Sequence, residues 1–151
     1  MAISNDQDLR AALDALSPDQ QRIAGARFAQ SVIRLCNEDR VRRAVETGLN
    51  PGASASELED AYRAAKAYAT KTYTDCGKDT DWLAQADHFV AAAAAAALTP
   101  DALLTERANR AWKAAVQARM AENCELMEQE DAAAVSEAQK QYTIAGELAG
   151  S

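Results

Sequence analysis

Seven consecutive alanines occupy positions 91 to 97, and they are the feature that most restricts how this chain can fold. Alanine is the strongest helix former, because its side chain loses no conformational entropy in a helix. Its single methyl group also lets neighbouring helix axes approach closely. Together with Val90 and Leu98, the run is therefore predicted to form a central helix that other helices surround.

The composition of the whole chain supports the same interpretation. Apolar residues make up 48% of the 151 residues but aromatic residues only 5%, and alanine provides much of the apolar content. This length is typical of one domain, which buries about 70% of the surface of its unfolded chain. We predict an all-α domain over residues 1–151, a bundle of six or seven helices with frayed final residues.

Helix start signals divide the chain. Ser17-Pro18-Asp19-Gln20 combines a capping serine, a proline at the first helical position and the glutamine of a capping box. Thr99-Pro100-Asp101 repeats the cap, proline and acid, and predicts a long helix from there to beyond Met127. Further start sites are expected at Asp6, after a break at 37–39, at Ser54 or Ser56, at Asp79, Thr80 or Asp81, and near residue 131.

Apolar spacing within these segments follows the helical period. Residues three and four apart form one stripe after Ser17, namely Ala24, Phe28, Val32 and Leu35. A break is expected at 37–39 and a turn at 50–52. The large aromatic side chains of Trp82, Phe89 and Trp112 are predicted to fill gaps between the alanine-rich helices.

The segment DCGKDTDWLAQADHF, residues 75–89, contains the only histidine of the chain. Asp81 and His88 share a helical face, and Cys76 or Asp79 could approach from the preceding loop. This set lacks the oxygens that a hard cation prefers and the second nitrogen or sulfur that zinc prefers. We therefore interpret the segment as structural, with Gly77 ending one helix and an acid capping the next, and predict no metal and no cofactor.

Two other chemical interpretations remain open at this point. His88 could act with the thiolate of Cys36 or Cys124, although catalysis needs the two side chains within hydrogen-bond reach. Aromatic side chains could also line a ligand pocket, namely Tyr62, Tyr68, Trp82 and Trp112. No phosphate-binding glycine loop, nucleophile elbow or HExxH helix is present, so we predict a protein without catalytic residues.

The net charge of the chain limits the kinds of molecule that it is expected to bind. The net charge is −7, and the pI near 4.7 argues against nucleic acid and anionic membranes, which are bound mainly through lysine and arginine. The longest apolar run, 89–98, is half the length of a membrane span, and the N-terminus lacks the apolar core of a signal peptide. Three widely spaced cysteines favour reduced thiols, so we predict a cytoplasmic protein with a basic protein partner.

The acidic residues are concentrated in the second half of the chain. Residues 1–80 contain 11 basic and 12 acidic residues, whereas residues 81–151 contain 5 and 11. The densest run, ENCELMEQED at 122–131, has no basic residue. It predicts an acidic docking face beside flexible methionines, formed by Glu122, Glu125, Met127, Glu128, Glu130 and Asp131. A solvated outer helix face is the alternative.

Residues 27–69 resemble a pattern found in alanine-rich, all-helical immunity proteins of bacterial polymorphic toxin systems. In that pattern an apolar helix ends near an acid, and an Asp/Arg segment, a Gly-containing turn and a Glu-Leu-led helix follow. The matching residues here are Leu35, Asp39, Arg42, Arg43, Ala44, Val45, Glu46, Gly52, Glu57, Leu58 and Ala61. The resemblance implies an inhibitor that binds a cognate toxin domain and blocks it.

Three functional hypotheses follow in order of preference. The first is a non-catalytic, protein-binding inhibitor of the immunity type, whose partner is a toxin domain with a basic surface. The second is a helical adaptor that self-associates, as a homodimer for example, through an alanine-rich face. The third is a small enzyme or ligand binder that uses His88 and a cysteine.

Overall fold

The computed structural model describes residues 3–75, 81–105, 107–129 and 137–150, and these residues form seven α-helices and no strand. This confirms the predicted all-α class and the predicted number of helices. Two short 3₁₀ turns, Ile33–Leu35 and Asp101–Leu103, lie between helices. The α-helices are α1 Asp6–Asp14, α2 Pro18–Ser31, α3 Asp39–Leu49, α4 Ala55–Asp75, α5 Trp82–Ala97, α6 Arg110–Gln129 and α7 Glu137–Ala149.

Side-chain caps fix the start of several helices, as the sequence predicts. Ser17 and Gln20 form a reciprocal capping box at α2, with hydrogen bonds of 3.2 and 3.1 Å. Ser54, rather than Ser56, forms the equivalent box with Glu57 at α4. Asp81 caps α5 by accepting a hydrogen bond from the backbone N–H of Ala84. Gly77, Asp79 and Thr80 lie outside the described residues.

The alanine-rich helix α5 lies at the centre of the bundle, which confirms the prediction. It packs against α2, α3, α4 and α6, and most of its alanines are fully buried. Helix α2 approaches especially closely, because a Cβ atom added to Gly25 would lie 2.8 Å from the Cβ of Ala97. Helix α7 packs against α1, α2 and α6 on the outside of this layer.

The aromatic side chains do not fill the centre as predicted. Phe28 is the largest fully buried side chain, whereas Trp82, Phe89 and Trp112 are only partly buried. Helices whose facing residues are alanine lie too close together to leave room for an indole ring between them. Phe89 and Trp112 therefore pack at the edge of the core, where they border an open surface.

The predicted start of the long helix α6 is wrong. Thr99-Pro100-Asp101 begins only a 3₁₀ turn, and α6 starts at Arg110. Asn109 sets this start: its side chain accepts from the N–H of Trp112 at 3.0 Å and donates to Asp14 at 2.9 Å. Arg110 then binds the carbonyl of Pro18 and the carboxylate of Asp101. These tertiary contacts place the start of α6 at Arg110, later than the start that the local signal Thr99-Pro100-Asp101 predicts.

The C-terminal part agrees with the predicted last helix in its main features. Helix α7 covers Glu137–Ala149, with Ala138 and Tyr142 partly buried, whereas Val135 lies outside the described residues. None of the helices in the described part of the chain is long and apolar enough to cross a membrane.

Candidate functional site

The predicted acidic face does not lie open to solvent at its first two residues. Only 2% of Glu122 is exposed, and its carboxylate lies 3.6 Å from the Nζ of Lys140 on α7. Glu125 is also largely covered and pairs with Arg34 at 2.7 Å. Glu128 and Met127 are exposed, and Glu130 and Asp131 lie outside the described residues. Glu122 and Glu125 are therefore internal contacts of the bundle.

The position of Glu122 follows from the register of α6. Buried residues on this helix recur at three- and four-residue intervals, with Ala111, Ala115 and Ala118 all fully buried. Glu122 continues that series, so it faces inward like the alanines before it. This spacing is visible in the sequence and could have located Glu122 on the inner face.

A polar network joins α6 to the first and last helices. Gln141 is fully buried, donates to the carbonyl of Ala115 at 2.9 Å and accepts from Arg119 at 2.8 Å. Arg119 also donates to both oxygens of Asp6, and Tyr142 donates to the same carboxylate. The hydrogen bond from Arg119 lowers the pKa of Asp6. This network holds α1 and α7 against α6 and is structural.

The outer face of α6 carries three exposed apolar side chains. Val116, Met120 and Met127 are 38%, 41% and 56% exposed, and their spacing places them on one side of the helix. We call these three residues the α6 ridge. Apolar side chains that share one exposed helix face are candidates for contact with another molecule. Met127 belongs to the docking face predicted from the sequence, whereas Val116 and Met120 do not.

The catalytic alternative finds little support in the geometry around Cys36. Burial raises the pKa of its thiol to about 12, and its hydrogen bond to the Asp87 carboxylate adds to the shift. Tyr68 donates to the same carboxylate at 2.6 Å. A thiol with a raised pKa is a poor nucleophile, because the thiolate is the reactive form. Cys124 is also buried and forms no disulfide within the described residues, and Cys76 lies outside them.

His88 is held by its neighbours on α4. Its Nδ1 lies 2.9 Å from Oγ1 of Thr72, whose hydroxyl in turn donates to the carbonyl of Tyr68 at 2.9 Å. Burial lowers the pKa of His88, so the imidazole is neutral near pH 7. Asp81 is used as the cap of α5. Within the described residues, no three His, Cys, Asp or Glu side chains come together as a metal site requires.

A groove of about 750 Å³ has α5 as its floor and α4 and α6 as its walls. We call it the α4–α6 groove. Short alanine side chains lower its floor, and aromatic rings stand along its sides. Its apolar lining includes Phe89, Ala92, Ala95, Ala96, Trp112 and Val116, and its polar lining includes Tyr62, Lys66, Thr70, Tyr73, His88, Thr99, Lys113 and Gln117.

Only two of the four aromatic residues that could line a ligand pocket by their sequence spacing are found in the groove. Tyr62 and Trp112 line it from opposite walls. Tyr68 instead points to Asp87, and Trp82 is not among the lining residues. The tertiary structure brings Lys66 and Lys113 to the same groove. These lysines are 47 positions apart in the sequence, and no local motif predicts that they meet.

A second concavity of about 680 Å³ lies between α2, α4 and the turn at Asp101–Leu103. Two buried arginines line it, but each is occupied by backbone carbonyls. Arg22 binds those of Gly48 and Asn50, and Arg110 binds that of Pro18. Carboxylates of Asp19 and Asp101 pair with the same arginines, so this concavity is nearly balanced in charge.

No protein-family model, curated protein or solved structure matches this chain.

Proposed function

We propose that this protein is a non-catalytic inhibitor that binds another protein, of the immunity type that the sequence of residues 27–69 resembles. In this proposal it is a bacterial, cytoplasmic protein that neutralises a cognate toxin domain. The net charge of −7 supports a toxin with a basic surface, because opposite charges accelerate association. The proposal needs a surface on which the toxin can dock.

The α6 ridge is the observation that carries the proposal. Methionine side chains adapt their shape to a partner, and apolar side chains at the centre of an interface provide much of its binding energy. The opposite face of α6 is buried against α5, so the ridge is presented on a fixed helix. Glu128 is exposed beside Met127 and could contribute charge at the edge of such an interface.

The test requires the toxin itself. A neighbouring gene that encodes a large secreted protein with a toxin-like C-terminal domain would supply it. Co-expression with this protein is expected to restore the growth of cells that produce the toxin domain, and calorimetry is expected to show a direct complex. Failure of the purified proteins to bind would reject the proposed function.

Substitutions on the ridge locate the interface. Met120→Glu and Met127→Glu each place a charge in the proposed contact, and we expect them to weaken the complex at least about tenfold. Leu103→Glu is the matched control, because Leu103 is 61% exposed but belongs to the Asp101–Leu103 turn. Equal affinity of all three variants and the wild type would remove the ridge as the contact surface.

The adaptor hypothesis placed self-association on an alanine-rich face, and the α6 ridge is a different surface on which a second copy of this chain could pack. Light scattering over a range of protein concentrations distinguishes the two. A mass that doubles with concentration in the wild type, but not in Met120→Glu, would favour self-association. A constant monomer mass favours a different partner.

A further inference from the structure

The charges that line the α4–α6 groove are opposite in sign to the charge of the protein. Lys66 and Lys113 line its two walls, whereas none of its described lining residues is an aspartate or glutamate. The whole chain nevertheless carries 23 acidic and 16 basic residues. A local concentration of positive charge in such a chain favours an anion at this position.

Both lysines are available to a ligand. Each is exposed, and neither takes part in an ion pair with the residues that the structure describes. Most arginines of the protein, in contrast, are joined to a carboxylate. An unpaired ammonium group can bind a carboxylate without first breaking an internal salt bridge.

The floor and part of one wall of the groove are apolar, so they fit an apolar ligand body. The floor of the groove is formed by the methyl groups of Ala92, Ala95 and Ala96, and the ring of Trp112 forms part of one wall. A volume of about 750 Å³ is within the range of small-molecule sites, which are mostly apolar with a few placed polar groups. The hydroxyls of Tyr62 and Tyr73 add hydrogen-bond donors on the α4 side.

From this combination we infer that the α4–α6 groove binds a small amphipathic carboxylate, with its apolar body on the alanine floor and its anionic group between Lys66 and Lys113. This site goes beyond the proposed toxin binding and does not depend on it. The α6 ridge meets the groove only at Val116.

Fluorescent probes test the inference directly on the full chain. Anilinonaphthalene sulfonate, which carries an anionic group on an aromatic body, is expected to bind and to increase in fluorescence. Laurate is expected to displace it. N-phenylnaphthylamine, an uncharged probe of similar shape, is expected to bind more weakly, and only the binding of the anionic probe should fall with added salt.

Substitutions test whether the probe binds in the α4–α6 groove. In Lys66→Gln/Lys113→Gln, the dissociation constant of the sulfonate probe is expected to rise about tenfold, which corresponds to the loss of two exposed charge contacts. The uncharged probe should bind this variant as it binds the wild type. Lys71→Gln on α4 is the matched control, because it removes the same charge outside the groove lining. Ala96→Leu fills the floor and should weaken both probes.

Three results would overturn the inference. The first is no binding of the sulfonate probe to the folded protein. The second is equal affinity in the double lysine variant and in Lys71→Gln. The third is displacement of the probe by an acidic helical peptide but not by laurate, because the occupant would then be a protein segment. A thermal melt of each variant establishes that it is folded.

Discussion

Replacement of Gly25 by alanine provides the most direct test of the close helix packing. Gly25 lies within α2, opposite α5 and α6. An added Cβ atom would lie 2.8 Å from the Cβ and 3.1 Å from the Cα of Ala97, and 3.3 Å from the Cβ of Ala114. Because two of these atoms belong to short methyl side chains and one to the backbone, no flexible group can move aside.

Two opposing effects determine how much Gly25→Ala changes the free energy of unfolding. Alanine in place of glycine in a helix stabilises a protein by about 0.5–1 kcal/mol, because it reduces the entropy of the unfolded chain. An added methyl group in a close-packed core costs about 1–3 kcal/mol. The helices must separate by several tenths of an ångström, so the cost should exceed the gain. We expect Gly25→Ala to lower the free energy of unfolding by about 1–2 kcal/mol, and the melting temperature by roughly 2–8 °C.

Gly146→Ala is the matched control. Gly146 lies in α7, and no atom would lie within 4 Å of an added Cβ. The helix-propensity gain is then unopposed, so this variant should be more stable than the wild type by about 0.5 kcal/mol. Urea titration followed by helical circular dichroism measures both variants. The same substitution should thus change stability in opposite directions at the two positions.

A double variant separates the clash from any general effect on α2. Ala97→Gly removes the nearest methyl group, so Gly25→Ala should be less harmful in that background than in the wild type. The difference between the effects of Gly25→Ala on the free energy of unfolding in the two backgrounds is the coupling energy of positions 25 and 97. If Gly25→Ala proves as stabilising as Gly146→Ala, the axes of α2 and α5 are not as close as described.

Two further predictions concern side chains that tertiary contacts hold in place. Asn109→Ala should lower the free energy of unfolding by about 1–2 kcal/mol, because it loses both the cap to Trp112 and the hydrogen bond to Asp14. Asn5→Ala is the control, because the Asn5 side chain is an exposed cap that accepts one hydrogen bond, from Asp8. It should lower the free energy of unfolding by about half as much in the same urea titration. The lowered pKa of His88 means that the unfolded chain binds more protons just below pH 6.5, so the contribution of His88 to stability is complete above that pH and is lost as the pH falls. His88→Gln should therefore flatten the decrease in urea midpoint below pH 6.5, and an unchanged pH dependence would contradict the assignment.

Much of the fold could be predicted because its signals are local. Capping by Ser17 depends on residues within one helical turn, and the stripe of Ala24, Phe28 and Val32 depends on the helical period. The alanine run predicts a central helix because only small side chains allow four helices to contact one. These inferences need no knowledge of which elements meet.

The candidate sites could be predicted less well, for two different reasons. Glu122 was predicted to lie on an outer face because charged side chains are usually exposed. Its spacing from Ala115 and Ala118, however, places it on the buried face of α6. The start of α6 at Arg110 depends on Asp14 and Pro18, which are more than 90 positions away. No short window of the sequence contains that information.

The sequence alone determined that this chain forms a helical bundle around a core of alanine, because helix propensity, capping and apolar period are properties of neighbouring residues. The tertiary structure decided which surfaces remain open and which charges meet there. It buried Glu122 beneath α7, exposed the α6 ridge, and placed Lys66 and Lys113 on opposite walls of one groove. Such contacts depend on how the helices cross, and the crossing is set by packing among residues distant in the chain.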